Sequence, residues 1–161
     1  MMKINAKILN NLVTPEMLQP STPGSAGIDL RAINLPDIDG SESRCYVYPN
    51  QCIKIGAGIA IHIADPGYAA MILPRSGLGH NKGLILGNTI GLIDSDYQGE
   101  LMISAWNRSH DTILIKRMDR IAQLIIVPVI QPVFNFVESF EETERGDGGF
   151  GSTGVSILGK D

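Results

Sequence analysis

The sequence predicts an all-β domain, a sandwich or barrel of short strands. Three features point there. Ile53, Ile55, Ile59, Ile61 and Ile63 fall on alternate positions, with Lys54, Ala60 and His62 between them. That is the period of a strand with one buried face. Short apolar runs recur along the chain between Gly, Pro and Asp turn residues. No segment carries a helical period over more than two turns.

In chain order, residues 26–32 (Ala-Gly-Ile-Asp-Leu-Arg-Ala) read as a short strand carrying one inward or edge carboxylate, Asp29. The strand through residues 53–63 ends at the turn Asp65-Pro66-Gly67. A strand resumes at residues 71–73 and stops at Pro74; residues 76–82 allow at most one helical turn before Gly83. Residues 84–93 and 100–106 are expected to form a hairpin whose polar tip is Asp94-Ser95-Asp96-Tyr97-Gln98-Gly99. Residues 112–116 and 120–129 are two further strands, and Pro128 and Pro132 place the last at an edge. From about residue 138 the apolar alternation stops, leaving an exposed acidic connector. The expected division is a β domain over 1–144 and a mobile arm over 145–161.

Composition narrows the function classes. A chain of 161 residues with 43% hydrophobic and 19% charged residues suits one soluble domain with a real core. Its net charge of −4 argues against a broad nucleic-acid-binding face, which needs a basic stripe. It leaves room for a small anionic ligand held by a few arginines. The N-terminus has no apolar signal core, and the longest apolar stretch, near Ile121 to Ile130, is interrupted by Gln123 and Pro128 and too short for a bilayer. No membrane association is expected, and the cytoplasm is the expected compartment. Cys45 and Cys52 lie in no CxxC motif and near no His pair, so they read as reduced thiols.

Five clusters carry chemistry. Around Asp29, a solvated carboxylate beside Arg31 is the preferred reading of that cluster taken alone. In Pro74-Arg75-Ser76-Gly77-Leu78-Gly79, a strand end is followed by a guanidinium, a hydroxyl and backbone N–H groups at a helical turn, a geometry that suits an anion or a plain turn. In the segment from Gly87 to Leu101, Asn88 and Gly91 interrupt a strand that a purely structural hairpin would fill with β-branched residues. In Arg120-Ile121-Ala122-Gln123, the glutamine must find hydrogen-bond partners if buried. The last cluster, Arg145 to Gly154, is half glycine yet carries a cation, one aromatic ring and two adjacent hydroxyls. Bare N–H groups, Ser and Thr suit phosphate oxygens, Arg binds the same anion by its planar fork, and Phe150 offers a face for a nucleobase.

Taken in order, the five clusters resemble the five motifs of the trimeric deoxyuridine triphosphatases (dUTPases), over Ala26 to Gly154. The resemblance implies a jelly-roll β domain, a homotrimer with active sites at subunit boundaries, and an arm that closes a site on a neighbouring subunit. It implies hydrolysis of dUTP to dUMP and pyrophosphate by water attack on the α-phosphorus. Asp94 would orient and deprotonate the water; a carboxylate is a weak base for water, so its value lies in alignment. Tyr97 would lie under the deoxyribose and exclude a 2′-hydroxyl by a clash. Asn88 and backbone groups around Leu92, Ile93 and Met102 would read uracil. Arg75, Ser76, Gly77 and Gln123 would hold the α- and β-phosphates, and Arg145, Gly151 and Ser152 the γ end, with Phe150 stacked on uracil. Mg²⁺ would bridge phosphate oxygens and touch Asp29 through water. Two other readings are a dCTP deaminase of the same fold, and a non-catalytic jelly-roll assembly module. A general nucleotide pyrophosphohydrolase lacks support, because no dense Glu cluster for several metals occurs.

Overall fold

Strand-forming residues are spread from Asn5 to Pro128. In a computed structural model that describes residues 2–37 and 41–148 they form ten strands and one α-helix. The chain divides into two compact units, Met1–Gln131 and Pro132–Asp161. In the first, β1 (Asn5–Ile8) is followed by a 3-10 turn at Pro15–Leu18. Then come β2 (Ile28–Arg31), β3 (Arg44–Val47), β4 (Cys52–His62), β5 (Tyr68–Pro74), α1 (Ser76–Lys82), β6 (Leu84–Leu86), β7 (Gly91–Ile93), β8 (Glu100–Asn107), β9 (Ile113–Lys116) and β10 (Arg120–Pro128). Two four-stranded sheets run β1-β4-β8-β6 and β2-β10-β5-β7, and β3 pairs with β9. All pairs are antiparallel. The predicted all-β, jelly-roll-like architecture is what forms. Its core draws Leu30, Ile55, Ile59, Ile72, Leu101, Ile103 and Ile115 from all three sheets.

The isoleucine alternation survives an interruption. Between Gly56 and Ala60, β4 takes four steps while β8 takes two, from Met102 to Glu100. Two extra residues preserve parity, so Ile59 and Ile61 stay on the face of Ile55. Gly58 makes the bulge at φ +70, and a Cβ there would press on Ile33 and Val13. The turn at Asp65-Pro66-Gly67 forms as expected: Gly67 N–H donates to the Asp65 carboxylate at 2.8 Å and Tyr68 N–H to the Asp65 carbonyl at 3.1 Å.

Three local expectations change. Residues 84–93 are two strands, not one. Leu84–Leu86 pairs with β8 in one sheet, whereas Gly91–Ile93 pairs with β5 in the other. Gly87–Ile90 carries the chain across, with Thr89 at φ 65. Residues 76–82 make nearly two helical turns, closed by Gly83 in the left-handed conformation at φ 72. The strand ending at Pro128 is central in its first half, between β2 and β5, and becomes an edge only beyond Leu124, where β2 has ended. Val129 N–H donates to Gly67 on the β5 side, so Pro128 meets the open side, where no donor is needed.

The core holds one buried polar side chain, Asn107, among the described residues. Its amide donates to the carbonyls of Val47 and Asp111 at 2.8 and 2.7 Å, and its oxygen accepts from the Ser109 N–H and hydroxyl. Neither Cys45 nor Cys52 forms a disulfide. No helix among the described residues is long and apolar enough to cross a membrane.

In the second unit, residues 132–148 form neither strand nor helix. Val133, Phe134, Phe136 and Phe140 are largely exposed there. Arg145 donates through Nε to the Gly148 carbonyl at 3.1 Å.

Candidate active site

The β2-β10-β5 order brings three of the five clusters to one cavity of about 690 Å³. Asp29 on β2 stands opposite Gln123 on β10, which stands opposite Leu73 on β5. Beyond β5, Arg75 enters α1 in an extended conformation, and its carbonyl accepts the first helical bond, from Gly79 N–H at 2.9 Å. Ser76 and Gly77, in the first turn of α1, therefore keep N–H groups without intrahelical acceptors.

The centre of this cavity is ionic. Asp29 Oδ1 meets Arg75 Nε at 2.9 Å, and Asp29 Oδ2 meets Arg120 Nη1 at 3.1 Å. Arg75 Nη1 also donates to the Arg120 carbonyl at 3.0 Å. One carboxylate thus aligns two guanidiniums and leaves a net positive charge. Arg120 has no role among the expectations from the sequence, although it is a cation at the head of an apolar strand, three residues before Gln123.

Gln123 is half-buried and donates through Nε2 to the Pro74 carbonyl at 3.0 Å, the partner its burial required. Its oxygen lies over Gly27, where a Cβ would come within 2.6 Å. By contrast, nothing in the chain lies within 4 Å of a Cβ built on Gly77, so the space above that residue is open to the cavity. A guanidinium pair, a hydroxyl, free N–H groups and an amide around one hollow make a cradle for a polyphosphate.

Asp29 is the cavity's one carboxylate among the described residues. Each of its oxygens keeps lone-pair capacity after the arginine contacts, so it can accept from a water on a hydrated cation. No group of three metal-ligating side chains occurs among the described residues. Asp29 is the residue of this cavity that could hold a hydrated Mg²⁺, through one of its waters.

The remaining residues of the third cluster lie elsewhere. β7 runs antiparallel to β5 with Ile93 opposite Ala70, so Asp94 continues toward Tyr68 and away from Arg75. Ala64 N–H, before β5, donates to the Ser95 carbonyl at 2.9 Å. At about 3.3 Å per strand residue, Asp94 sits roughly 20 Å from the start of the cradle. Around it, Tyr97 N–H closes a turn onto the Asp94 carbonyl at 3.2 Å, and the Tyr97 hydroxyl donates to the Glu100 carbonyl at 3.0 Å. Asn88, Leu92, Asp94, Tyr97 and Met102 are all exposed, and Ile93 is half-buried. Gly91 is buried, and a Cβ there would lie 3.2 Å from Ile72. Phe150, Gly151 and Ser152 lie outside the described residues.

The dUTPase family profile matches residues 14–154. A deoxyuridine 5'-triphosphate nucleotidohydrolase of Paraburkholderia phymatum is 52% identical over 153 residues, 95% of this chain and 99% of that protein. The protein of the same name from Thiobacillus denitrificans is 54% identical over 151 residues, 94% and 99% of the two chains. Among solved structures, a dUTPase of Staphylococcus bacteriophage 80alpha, determined with dUpNHpp, superposes with a TM-score of 0.79 at 26% identity, covering 96% of this chain and all of that one. A mutant dUTPase from phage phi11 of S. aureus, whose structure describes coordination of a structural Mg(II) ion, shares the fold with a TM-score of 0.72 at 23% identity, covering 87% and 99%. With the profile spanning most of its length and relatives this similar, the chain belongs to the dUTPase family of hydrolases.

Proposed function

We propose that this chain hydrolyses dUTP to dUMP and pyrophosphate by water attack on the α-phosphorus, at sites shared between copies of a homotrimer. The observation that carries the reading is the separation of Asp94 from the phosphate cradle. Arg75, Arg120, Ser76, Gly77 and Gln123 offer donors to a polyphosphate, and the cavity's one carboxylate among the described residues, Asp29, has both oxygens engaged by the two arginines. Asp94 offers the carboxylate, yet lies roughly 20 Å away along β5. A second copy that presses its exposed Asp94–Tyr97 turn against the cradle supplies what one copy lacks. That composite site is also what the family resemblance implies.

Within it, the attacking water gives its proton to Asp94 as its oxygen bonds to the α-phosphorus. The bond from that phosphorus to the bridging oxygen breaks, and pyrophosphate leaves. Phosphoryl transfer needs positioning and charge stabilisation above all. The two guanidiniums and the N–H groups of α1 meet that need at the phosphates. Mg²⁺, when bound, would neutralise phosphate charge, with Asp29 holding one of its waters. Tyr97 would stand where a ribose 2′-hydroxyl would go, and Asn88 with the backbone near Leu92, Ile93 and Met102 would read the uracil edge.

The arm would complete the site with Arg145, Phe150, Gly151 and Ser152 acting on a neighbouring copy. The exposed Val133, Phe134, Phe136 and Phe140 support an attachment to another copy, because uncovered apolar side chains in series mark interaction surfaces. The reaction would keep uracil out of DNA and supply dUMP for dTMP synthesis.

The direct test is pyrophosphate release from dUTP, UTP, dCTP and dTTP side by side, with and without Mg²⁺. Release from dUTP alone, raised by Mg²⁺, is the expected outcome. Ammonia release from dCTP in its place would overturn the assignment.

A further inference from the structure

We infer that Glu100 is a positioning residue that ties the Tyr97 ring and the Asp94 turn to the rigid part of the domain, and thereby sets how strictly a ribonucleotide is refused. The inference rests on the sugar-excluding role proposed for Tyr97.

Glu100 opens β8, directly after the turn, and it is bonded in two directions. Its side-chain Oε1 accepts from Gly58 N–H at 2.8 Å and from Asn34 Nδ2 at 2.7 Å. Gly58 sits in the bulge where the β4–β8 ladder is interrupted, so its N–H needs an acceptor other than a β8 carbonyl. Asn34 is itself fixed: its backbone exchanges both bonds with Gly56 at 3.0 Å, and its Oδ1 accepts from Asn10 Nδ2 at 2.8 Å. Through its main chain, Glu100 accepts the Tyr97 hydroxyl at 3.0 Å. The Tyr97 ring lies on Gly99, where any Cβ would overlap it. Tyr97 N–H in turn holds the Asp94 carbonyl at 3.2 Å.

A half-buried glutamate at the head of a strand is costly to place unless its carboxylate is satisfied. Here the donors that satisfy it are a bulge amide and a pinned asparagine. Among the described residues no cation pairs with it. The carboxylate therefore spends its acceptor capacity on fixing the strand head to the bulge. The ring that must clash with a 2′-hydroxyl hangs from that same strand head. A steric wall discriminates only if it cannot move, because a yielding pocket rejects an added hydroxyl weakly.

The experiment compares kcat/KM for dUTP and UTP in the full-length protein with Mg²⁺ present. Glu100→Ala is expected to lower the dUTP/UTP ratio by about tenfold or more. Glu100→Gln is expected to restore the wild-type ratio, since its Oε1 accepts the same two bonds. Tyr97→Phe, which keeps the ring but loses its anchor, is expected to lower the ratio as well, and the double variant to fall no further than the larger single effect. A wild-type ratio in Glu100→Ala, whatever its melting temperature, or additive effects in the double variant, overturns the inference. Should Glu100→Ala fail to fold, Asn34→Ala removes one donor and leaves Glu100 in place. A smaller drop in the ratio is then expected, and an unchanged ratio counts against the inference. Should the wild-type protein hydrolyse neither nucleotide, the proposed function fails instead. Amide exchange over residues 95–99 then reads the anchor alone, and equal exchange in Glu100→Ala and Glu100→Gln overturns it.

Discussion

Asp29 lies between Arg75 and Arg120, with one carboxylate oxygen on each guanidinium at 2.9 and 3.1 Å. The residue thus does more than the sequence assigned to it. It neutralises one of two neighbouring cations and holds both beside the cavity. The role proposed for it toward a hydrated Mg²⁺ would be carried by lone pairs left over from that task.

Asp29→Asn should therefore weaken substrate binding more than it weakens the fold. The amide keeps one acceptor and turns a donor toward the second arginine. We expect KM for dUTP to rise by about tenfold and kcat/KM to fall at least as far. The pairs are partly exposed, so the stability cost should be about 1 kcal/mol. Steady-state kinetics and chemical denaturation check the two halves. Loss of stability without loss of affinity would make the residue a mere scaffold.

A composite site predicts complementation. Arg75→Ala and Asp94→Asn should each be folded and nearly inactive. Mixed in equal amounts and allowed to exchange subunits, they should regain about a quarter of wild-type activity, the chance that an intact cradle meets an intact Asp94 from another copy. No recovery, with exchange verified by mass, would place both residues in one chain's site.

Ending the chain after Glu144 should leave a folded, assembled protein with almost no turnover, because Arg145, Phe150, Gly151 and Ser152 are lost and the β domain is not. Circular dichroism and pyrophosphate release test this together. Full activity in the truncated protein would refute the phosphate clamp.

Asn107→Leu should destabilise the fold by about 3 kcal/mol. It takes the amide partner from the Val47 carbonyl in the interior, and removes the acceptor of the half-buried Ser109 N–H. The midpoint of urea unfolding measures it. The dUTP/UTP selectivity of the folded fraction should not change, since the residue is far in the ladder from the Tyr97 turn.

The all-β class, the turn at Asp65-Pro66-Gly67 and five of the cavity's lining residues, Asp29, Arg75, Ser76, Gly77 and Gln123, were legible in the sequence. Those signals are local: alternation, turn chemistry and short motifs are written in neighbouring positions. Gln123 was legible too, because a polar residue in an apolar strand demands a partner. Strands β1 and β3 were not: Asn5–Ile8 is exposed throughout and Arg44–Val47 is four residues long, too little to show a period. Three further features depend on contacts between distant parts of the chain. Residues 84–93 are shared between two sheets, because strand partners are chosen by packing across the core. Glu100 answers a bulge that lies forty-two positions away in the chain. Asp94 and Arg75 stand at opposite ends of the β5 ladder, because β7 pairs there antiparallel, a direction no motif spacing encodes.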